Sequence, residues 1–358
     1  MVWIIDNGVA DHVDLPTVIS RHNVDGYSTV GCYAHATHVA GIVGAASSNG
    51  QLRRGVYAGV KMRSVNAGRE PGGSPCAIFG VLPYPASTWP NAVFELGQAL
   101  DYVYANSIVY YWQNIGPHVI NLSMNEATET GFSSSGYAMT NQPKLATLAQ
   151  PAYPFPDWTR SYPGNVVVQS AGNINQDACS NTVTLPPGGL TQFSSFAYKP
   201  SAWATTTDPA DGILVVGALN ANGYRAAPFS PAYPDVVGGA SNPGSNYGGC
   251  IDIWAPGDRI YSTWGNHKQQ TYEGVQYGGN QPASCAGGGC TDPANAYGWA
   301  HLSGTSMAAP HVAAAAAYYI DKLGLTTPAQ VEQVLRSTAT GASGNPSLPS
   351  GLNMVQLQ

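Results

Sequence analysis

The sequence predicts an α/β fold in three layers, a mostly parallel central sheet flanked by helices on both faces. Three observations predict it. Short apolar runs of strand length alternate with helical patterns along the chain, and that alternation builds parallel sheets covered on both sides. A length of 358 residues is enough to bury one large core. No internal repeat and no clean linker interrupts the pattern, so residues 1–358 read as a single domain.

Taken in order, Val2–Ile5 opens the chain as a buried strand. HVAGIVGAA, from about Thr37, is helical, with Val39, Ile42 and Val43 on one face. A second helical pattern runs from about Asn91 to Tyr104. Val119–Leu122, Val166–Gln169 and Ile213–Val216 are strand-like runs. A third helix spans Ser306 to about Leu323, and a last one near Pro328–Ser337 has Val331, Val334 and Leu335 at helical spacing. The Pro/Gly/Tyr-rich stretches between them, about 68–90, 126–164, 181–211 and 228–297, read as long surface insertions.

Composition excludes several function classes. Charged residues are only 9% and the net charge is −6. No basic cluster exceeds the Arg53–Arg54 pair, so nucleic acid is not an expected partner. No apolar run reaches the ~18 residues of a membrane span. Six cysteines on a weakly charged, Gly/Tyr/Asn-rich chain point to a secreted protein, extracellular or periplasmic. The chain begins MVWIIDNG with no visible signal peptide, and a start so close to a core strand reads as a mature fragment or a chain without its upstream segment.

The chemistry concentrates in four places. HLSGTSMAAPHV joins a polar turn to an alanine-rich helical run. Ser303, Thr305 or Ser306 would serve as an ordinary N-cap, which leaves Gly304, Met307 and Pro310 unexplained. The alternative is a nucleophilic hydroxyl at a helix N-terminus, where N–H groups and the dipole favour negative charge. Asp6 ends VWIID before an Asn-Gly turn, where a parallel strand leaves the sheet. Ligand groups gather at such ends, although an Asx-turn is the simpler role. His35 and His38 in YAHATHVAGIVG lack the H-E-x-x-H spacing of a zinc protease, and two histidines do not close a metal site. An imidazole is, however, the usual base for a serine hydroxyl. Asn173 closes VVVQSAGN and is either a turn residue or a donor to an oxyanion.

IIDNG, HATHVAG, VINLSMN, VVVQSAGN and SGTSMAAPHVA, in that order, resemble the aspartate, histidine, substrate-strand, oxyanion-asparagine and serine motifs of subtilisin-like serine proteases. The resemblance implies Ser306 as nucleophile, His35 as general base and later acid, and Asp6 as the group that orients His35. Asn173 and the Ser306 N–H would hold the oxyanion. The pocket for the residue before the scissile bond would lie between Ser123, Met124 and Asn125 on one side and Ser170, Ala171 and Gly172 on the other. The sequence departs from the family at Asn7, at Ala36, where a glycine follows the histidine, and at Asn125, where the substrate strand has glycine.

The expected activity is that of a secreted endopeptidase working through an acyl-enzyme on protein or peptide substrates. A peptide ligase or macrocyclase on the same fold, or a catalytically impaired binding module, are the alternatives. The resemblance also implies an inhibitory propeptide, no cofactor for catalysis, and structural calcium at an unassigned site. The loop SSNGQLRRG carries no acid for it, and Asp208, Asp211, Asp252, Asp258 and Asp292 serve either as ligands elsewhere or as solvated and capping groups. Six cysteines allow 15 pairings. Bridges at positions like Cys32–Cys76 and Cys179–Cys250 occur in some extracellular relatives, which together with the local pair Cys285–Cys290 makes the expected set; the alternative is that some of the six stay free thiols.

Overall fold

The structure, a computed structural model, describes residues 1–6, 8–12, 14–24, 34–46, 54–67, 89–111, 117–123, 126–128, 147–149, 162–173, 175, 191–193, 210–229, 244–249, 251–264, 270–272, 275–277 and 298–339. In chain order the strands are β1 (Val2–Asp6), β2 (Val18–Asn23), β3 (Met62–Asn66), β4 (Val119–Leu122), β5 (Glu126–Thr128), β6 (Val166–Ser170) and β7 (Thr191–Phe193). They continue as β8 (Ile213–Leu219), β9 (Ile253–Pro256), β10 (Ile260–Trp264), β11 (Gln270–Tyr272), β12 (Val275–Tyr277) and β13 (Gly298–Leu302). The helices are α1 (Ala34–Gly44), α2 (Trp89–Tyr111), α3 (Thr305–Leu323) and α4 (Pro328–Thr338).

Seven strands form one sheet in the order β2-β3-β1-β4-β6-β8-β9, and every neighbouring pair is parallel. Successive side chains of a strand point to opposite faces, so each central strand feeds two cores. Val2, Ile4, Val119, Val166 and Val168 pack with residues of α1, α3 and α4 on one face. Trp3, Ile5, Ile120, Leu122 and Val167 pack with Leu96, Ala99, Leu100 and Val103 of α2 on the other. These are the three layers. The remaining strands form small antiparallel pairs, β5–β7, β10–β13 and β11–β12. β10 and β13 pair along their whole length, from Ile260 opposite Leu302 to Trp264 opposite Gly298.

Two strands of the sheet gave no apolar signal. β2 reads VISRHN and β3 reads MRSVN. Aromatic side chains account for this. The Arg63 guanidinium lies 3.8 Å from the centre of the Tyr110 ring and donates to Ser20 Oγ at 3.0 Å. His22 stacks flat on Tyr102 with ring centres 3.6 Å apart. Rings on α2 thus cover polar side chains that period-two reading treats as solvent-facing. The stretch 228–297, read as a surface insertion in which IDIWAPG forms a strand, is corrected in part: that strand, β9, is an edge strand of the main sheet, and β10 follows it. Phe229 is buried in the core too. Within 126–164, Leu148, Ala149 and Tyr162 are buried.

α3 is short-chained on its buried side, with Ala308, Ala309 and Ala313 to Ala317 packed under the sheet. Its N-cap is Gly304, with no side-chain capping bond, and it ends on Gly324 in the left-handed conformation. The simpler reading of Ser303, Thr305 or Ser306 as an N-cap therefore does not hold. Ser303 Oγ donates to Asp258 at 2.9 Å, and the hydroxyls of Thr305 and Ser306 are engaged across the crevice. α4 starts on a capping box between Thr327 and Gln330, with Pro328 in the first turn.

Glu332 lies on the buried face of α4. It accepts the Gly212 N–H at 2.7 Å and meets Arg336 at 2.5 Å, while Arg336 also pairs with Asp252 at 2.7 Å. Burial first, then the charges of Asp252 and Asp211, raise the Glu332 carboxyl to about 8 against the pull of Arg336 and the Gly212 N–H. A carboxyl raised on folding stabilises the fold fully below its unfolded pKa of about 4.5 and loses that contribution as pH climbs towards 8. Glu332→Gln keeps an acceptor for Gly212 and carries no charge. Its Tm relative to the wild type should therefore rise between pH 5 and pH 9; a difference that stays flat across that range overturns the assignment.

Candidate active site

From β1 the chain runs outward to β2 and β3 on one side, and β4, β6, β8 and β9 fill the other. The carboxyl ends of β1 and β4 are thus the point where the topology switches, the usual place for a crevice in an open parallel sheet. Four of the sequence-predicted groups arrive there. Asp6 is the last residue of β1, His35 the second residue of α1, and Ser306 the second residue of α3. Ala171, Gly172 and Asn173 follow β6. β4 and β6 pair with Leu122 opposite Gln169, so Ser123 and Ser170 leave the sheet side by side. Ser123, Ser170, Ala171 and Gly172 are all buried. Met124 and Asn125 lie outside the described residues, as do Asn7, Asp208 and Asp292. All six cysteines lie outside them too, and with them the pairings Cys32–Cys76, Cys179–Cys250 and Cys285–Cys290.

Asp6 is fully buried, and both its oxygens stand 2.9 Å from His35 Nδ1. The His35 side chain is 13% exposed. Burial opposes a charge on this ring, but the charge of Asp6 and its hydrogen bond outweigh that and hold the imidazole pKa above its ordinary 6.5. With Nδ1–H committed to Asp6, Nε2 is the basic nitrogen. Ala36, the departure beside it, is fully buried and belongs to the core cluster of α1 and α3.

α1 is held by β10. Thr263 Oγ1 donates to the Thr37 carbonyl at 2.6 Å and Ser262 Oγ to the His38 carbonyl at 2.8 Å. His38 Nε2–H reaches the Ile260 carbonyl at 3.1 Å. A side chain at Gly41 would collide with both hydroxyls, so glycine lets the two elements close. His38 is a clamp between α1 and β10. No motif marks Ser262 and Thr263 as its counterparts.

On α3, the Ser306 hydroxyl donates to the Ser123 carbonyl at 3.0 Å, and the Ser123 hydroxyl donates back to the Ser306 carbonyl at 2.8 Å. The Ser306 N–H belongs to the first helical turn, where N–H groups have no helical acceptor. Asn173 is fixed by Thr305. Its Oδ1 accepts the Thr305 N–H at 2.8 Å and the Thr305 hydroxyl at 2.9 Å, while Thr305 Oγ1 also accepts the Gly172 N–H at 3.0 Å. Both donors on Oδ1 settle which end of the amide is oxygen, and Nδ2 is left as a donor. Thr305 was legible only as a candidate cap. Gly304 sits at φ 155°, ψ 162°, a region open essentially to glycine. A Cβ there would come within 3.2 Å of Asn173 Nδ2.

Among the acids weighed as calcium ligands, Asp211 accepts the Ile213 N–H, Asp252 accepts from Val215 and Arg336, and Asp258 accepts from Ser303. Among the described residues no group of three His, Cys, Asp or Glu side chains could hold a metal ion. Nor is any helix among them long and apolar enough to cross a membrane.

The match to the subtilase family model runs over residues 1–352. Among curated proteins, the chain is 25% identical to the alkaline serine exoprotease A of Vibrio alginolyticus over 94% of its own length and 41% of that protein. It is 26% identical to the extracellular serine proteinase of Thermus sp. (strain Rt41A), over 94% of this chain and 54% of that one. Against subtilisin DY of Bacillus licheniformis it is 26% identical, covering 99% of this chain and 89% of the relative. The chain thus spans about half the length of the first two. A cold-adapted subtilisin-like serine proteinase superposes with a TM-score of 0.54 at 21% identity, over 99% of this chain and 88% of that one. The MycP3 protease of a type VII (ESX-3) secretion system does so with a TM-score of 0.58 at 19% identity, over 98% and 79%. With the fold, the crevice and the family match in agreement, the chain belongs to the subtilase family.

Proposed function

We propose that the chain is a secreted serine endopeptidase that cleaves protein or peptide substrates through an acyl-enzyme. The observation that carries this reading is the buried Asp6–His35 pair at the carboxyl end of β1, with Ser306 bonded to Ser123 just past the end of the neighbouring strand β4. In catalysis the Ser306 hydroxyl turns from the Ser123 carbonyl to His35 Nε2, gives up its proton and attacks the scissile carbonyl carbon. The imidazolium so formed is stabilised through Nδ1 by Asp6. The carbonyl oxygen becomes an oxyanion and takes hydrogen bonds from Asn173 Nδ2 and the Ser306 N–H. His35 then passes its proton to the leaving amine. Water attacks the resulting ester with His35 again as base, releasing the carboxylate and restoring Ser306.

An extended substrate would run past the carboxyl ends of β4 and β6, with Ser123 on one side and Ser170, Ala171 and Gly172 on the other. Met124 and Asn125 would complete that pocket by position in the sequence. Secretion is supported by the extracellular relative, and an inhibitory propeptide is the partner that the family resemblance supports. Structural calcium, if bound, needs ligands beyond the described acids, and no step of the chemistry uses it.

The test is product analysis. Casein should yield peptide fragments, and a fluorophosphonate should label the chain on Ser306. Labelling together with transfer of a peptide ester to an added amine, in preference to water, would replace hydrolysis by ligation. No labelling at all would sink the serine mechanism. Asn173→Leu should lower kcat by about 10²–10³-fold with little change in KM, the loss seen for this donor in a subtilisin. An unchanged kcat would remove Asn173 from the oxyanion site.

A further inference from the structure

The carbonyl of Ser306 lacks its helical donor. In an α-helix the group that bonds it is the N–H four residues on, and that residue is Pro310, inside α3, which has no N–H. The Ser123 hydroxyl fills the vacancy at 2.8 Å. That hydroxyl in turn accepts from Asn121 Nδ2 at 3.0 Å. A hydroxyl carries one proton, and a donor arriving at its lone pair leaves that proton free to point elsewhere. Asn121 therefore selects the Ser123 rotamer that bonds the nucleophile's own peptide unit.

Stability does not explain Asn121. It is fully buried on β4, one residue from Ile120 and Leu122, which face the α2 core, and two from Val119, which faces the core of α1 and α3. By strand alternation the amide shares the face of Val119, on the side of the α1 and α3 core. Its Oδ1 has no hydrogen-bond partner among the described residues, and a buried acceptor in that state costs more than one ordinary hydrogen bond returns. Valine would pack there without the penalty. The one bond that the amide makes leads to Ser123 and, through it, to Ser306.

We propose that Asn121 is a positioning residue for Ser306. Acting through the Ser123 hydroxyl, it ties the nucleophile's peptide unit to the end of β4 at the carbonyl that Pro310 leaves open. The proposal rests on the hydrolytic reading of Ser306. The break in the helical ladder becomes a mounting point: one hydrogen bond, from the Ser123 hydroxyl to the Ser306 carbonyl, spans from strand to helix, and Asn121 orients it.

The experiment measures kcat and KM on a peptide substrate, fluorophosphonate labelling rate and Tm for the wild type, Asn121→Val, Ser123→Ala, Pro310→Ala and the Ser123→Ala/Pro310→Ala pair. A displacement of the nucleophile by a fraction of an ångström to about 1 Å costs on the order of 10–10²-fold in rate. Asn121→Val should therefore lower kcat and labelling by about that factor, with KM within about twofold and Tm not reduced. Ser123→Ala should do the same. In the Pro310→Ala background, where the restored N–H reaches the Ser306 carbonyl, the cost of Ser123→Ala should shrink to about threefold or less. A wild-type kcat in Asn121→Val, or a Ser123→Ala cost that is equal in both backgrounds, overturns the proposal. So does a loss of kcat that follows a loss of Tm. Should Asn121→Val not fold, the Ser123/Pro310 cycle decides alone. A wild type that neither labels nor hydrolyses overturns the protease reading and this one together. An active wild type with an indifferent Asn121 or Ser123 overturns only this one.

Discussion

Ser306→Ala should abolish hydrolysis to within the residual activity of the site, a fall in kcat on the order of 10⁶-fold, the scale known for a subtilisin. The size follows from what is removed. Without the hydroxyl there is no acyl-enzyme, and only the oxyanion donors and substrate binding remain to speed attack by water. Labelling by a fluorophosphonate should disappear in step. The fold should survive, because the side chain contributes one hydrogen bond, to the Ser123 carbonyl at 3.0 Å, worth about 1 kcal/mol. Tm should move by about 2 °C or less. Retained hydrolysis in a homogeneous preparation of this variant would assign the chemistry to another nucleophile.

The second large effect is at Asp6. Asp6→Asn keeps the size of the side chain but removes the charge and puts an NH₂ group where an oxygen faced His35 Nδ1. The ring can then present the wrong tautomer, with its proton on Nε2. The expected cost is about 10⁴-fold in kcat. The pH profile gives the sign check. The wild-type base works only when neutral, so activity falls as pH drops through the His35 pKa, which Asp6 holds above 6.5. With Asp6 uncharged, burial is left to act alone and lowers that pKa. The acid limb of kcat/KM in the variant should move to lower pH than in the wild type. A limb that stays in place would mean that the Asp6–His35 pair does not govern the base.

The main strands were legible because they are apolar on both faces, and Val119–Leu122 was read at its observed bounds. α3 and α4 were legible from alanine content and helical spacing, to within a residue of each end. β2 and β3 were not, because arginine and histidine in a strand look solvent-facing until the rings of α2 that cover them are placed. For the crevice, local motifs identified Asp6, His35, Asn173 and Ser306. What they left out were groups whose meaning is a contact far along the chain. Thr305 read as a cap until Asn173, 132 residues away, was seen to take its N–H and hydroxyl. Ser262 and Thr263 carry no motif at all, and their purpose appears only against the carbonyls of α1.

The β10–β13 pair joins two of these contacts. β10 grips α1, which carries His35, and β13 ends at Leu302, two residues before Gly304 and the start of α3. His35 and Ser306 therefore hang from one two-stranded bracket, closed at its far end by the Trp264–Gly298 pairing. The spacing between His35 and Ser306 is thus held by one small antiparallel pair. A substitution that loosens β10 from β13 would part the two side chains without touching either of them.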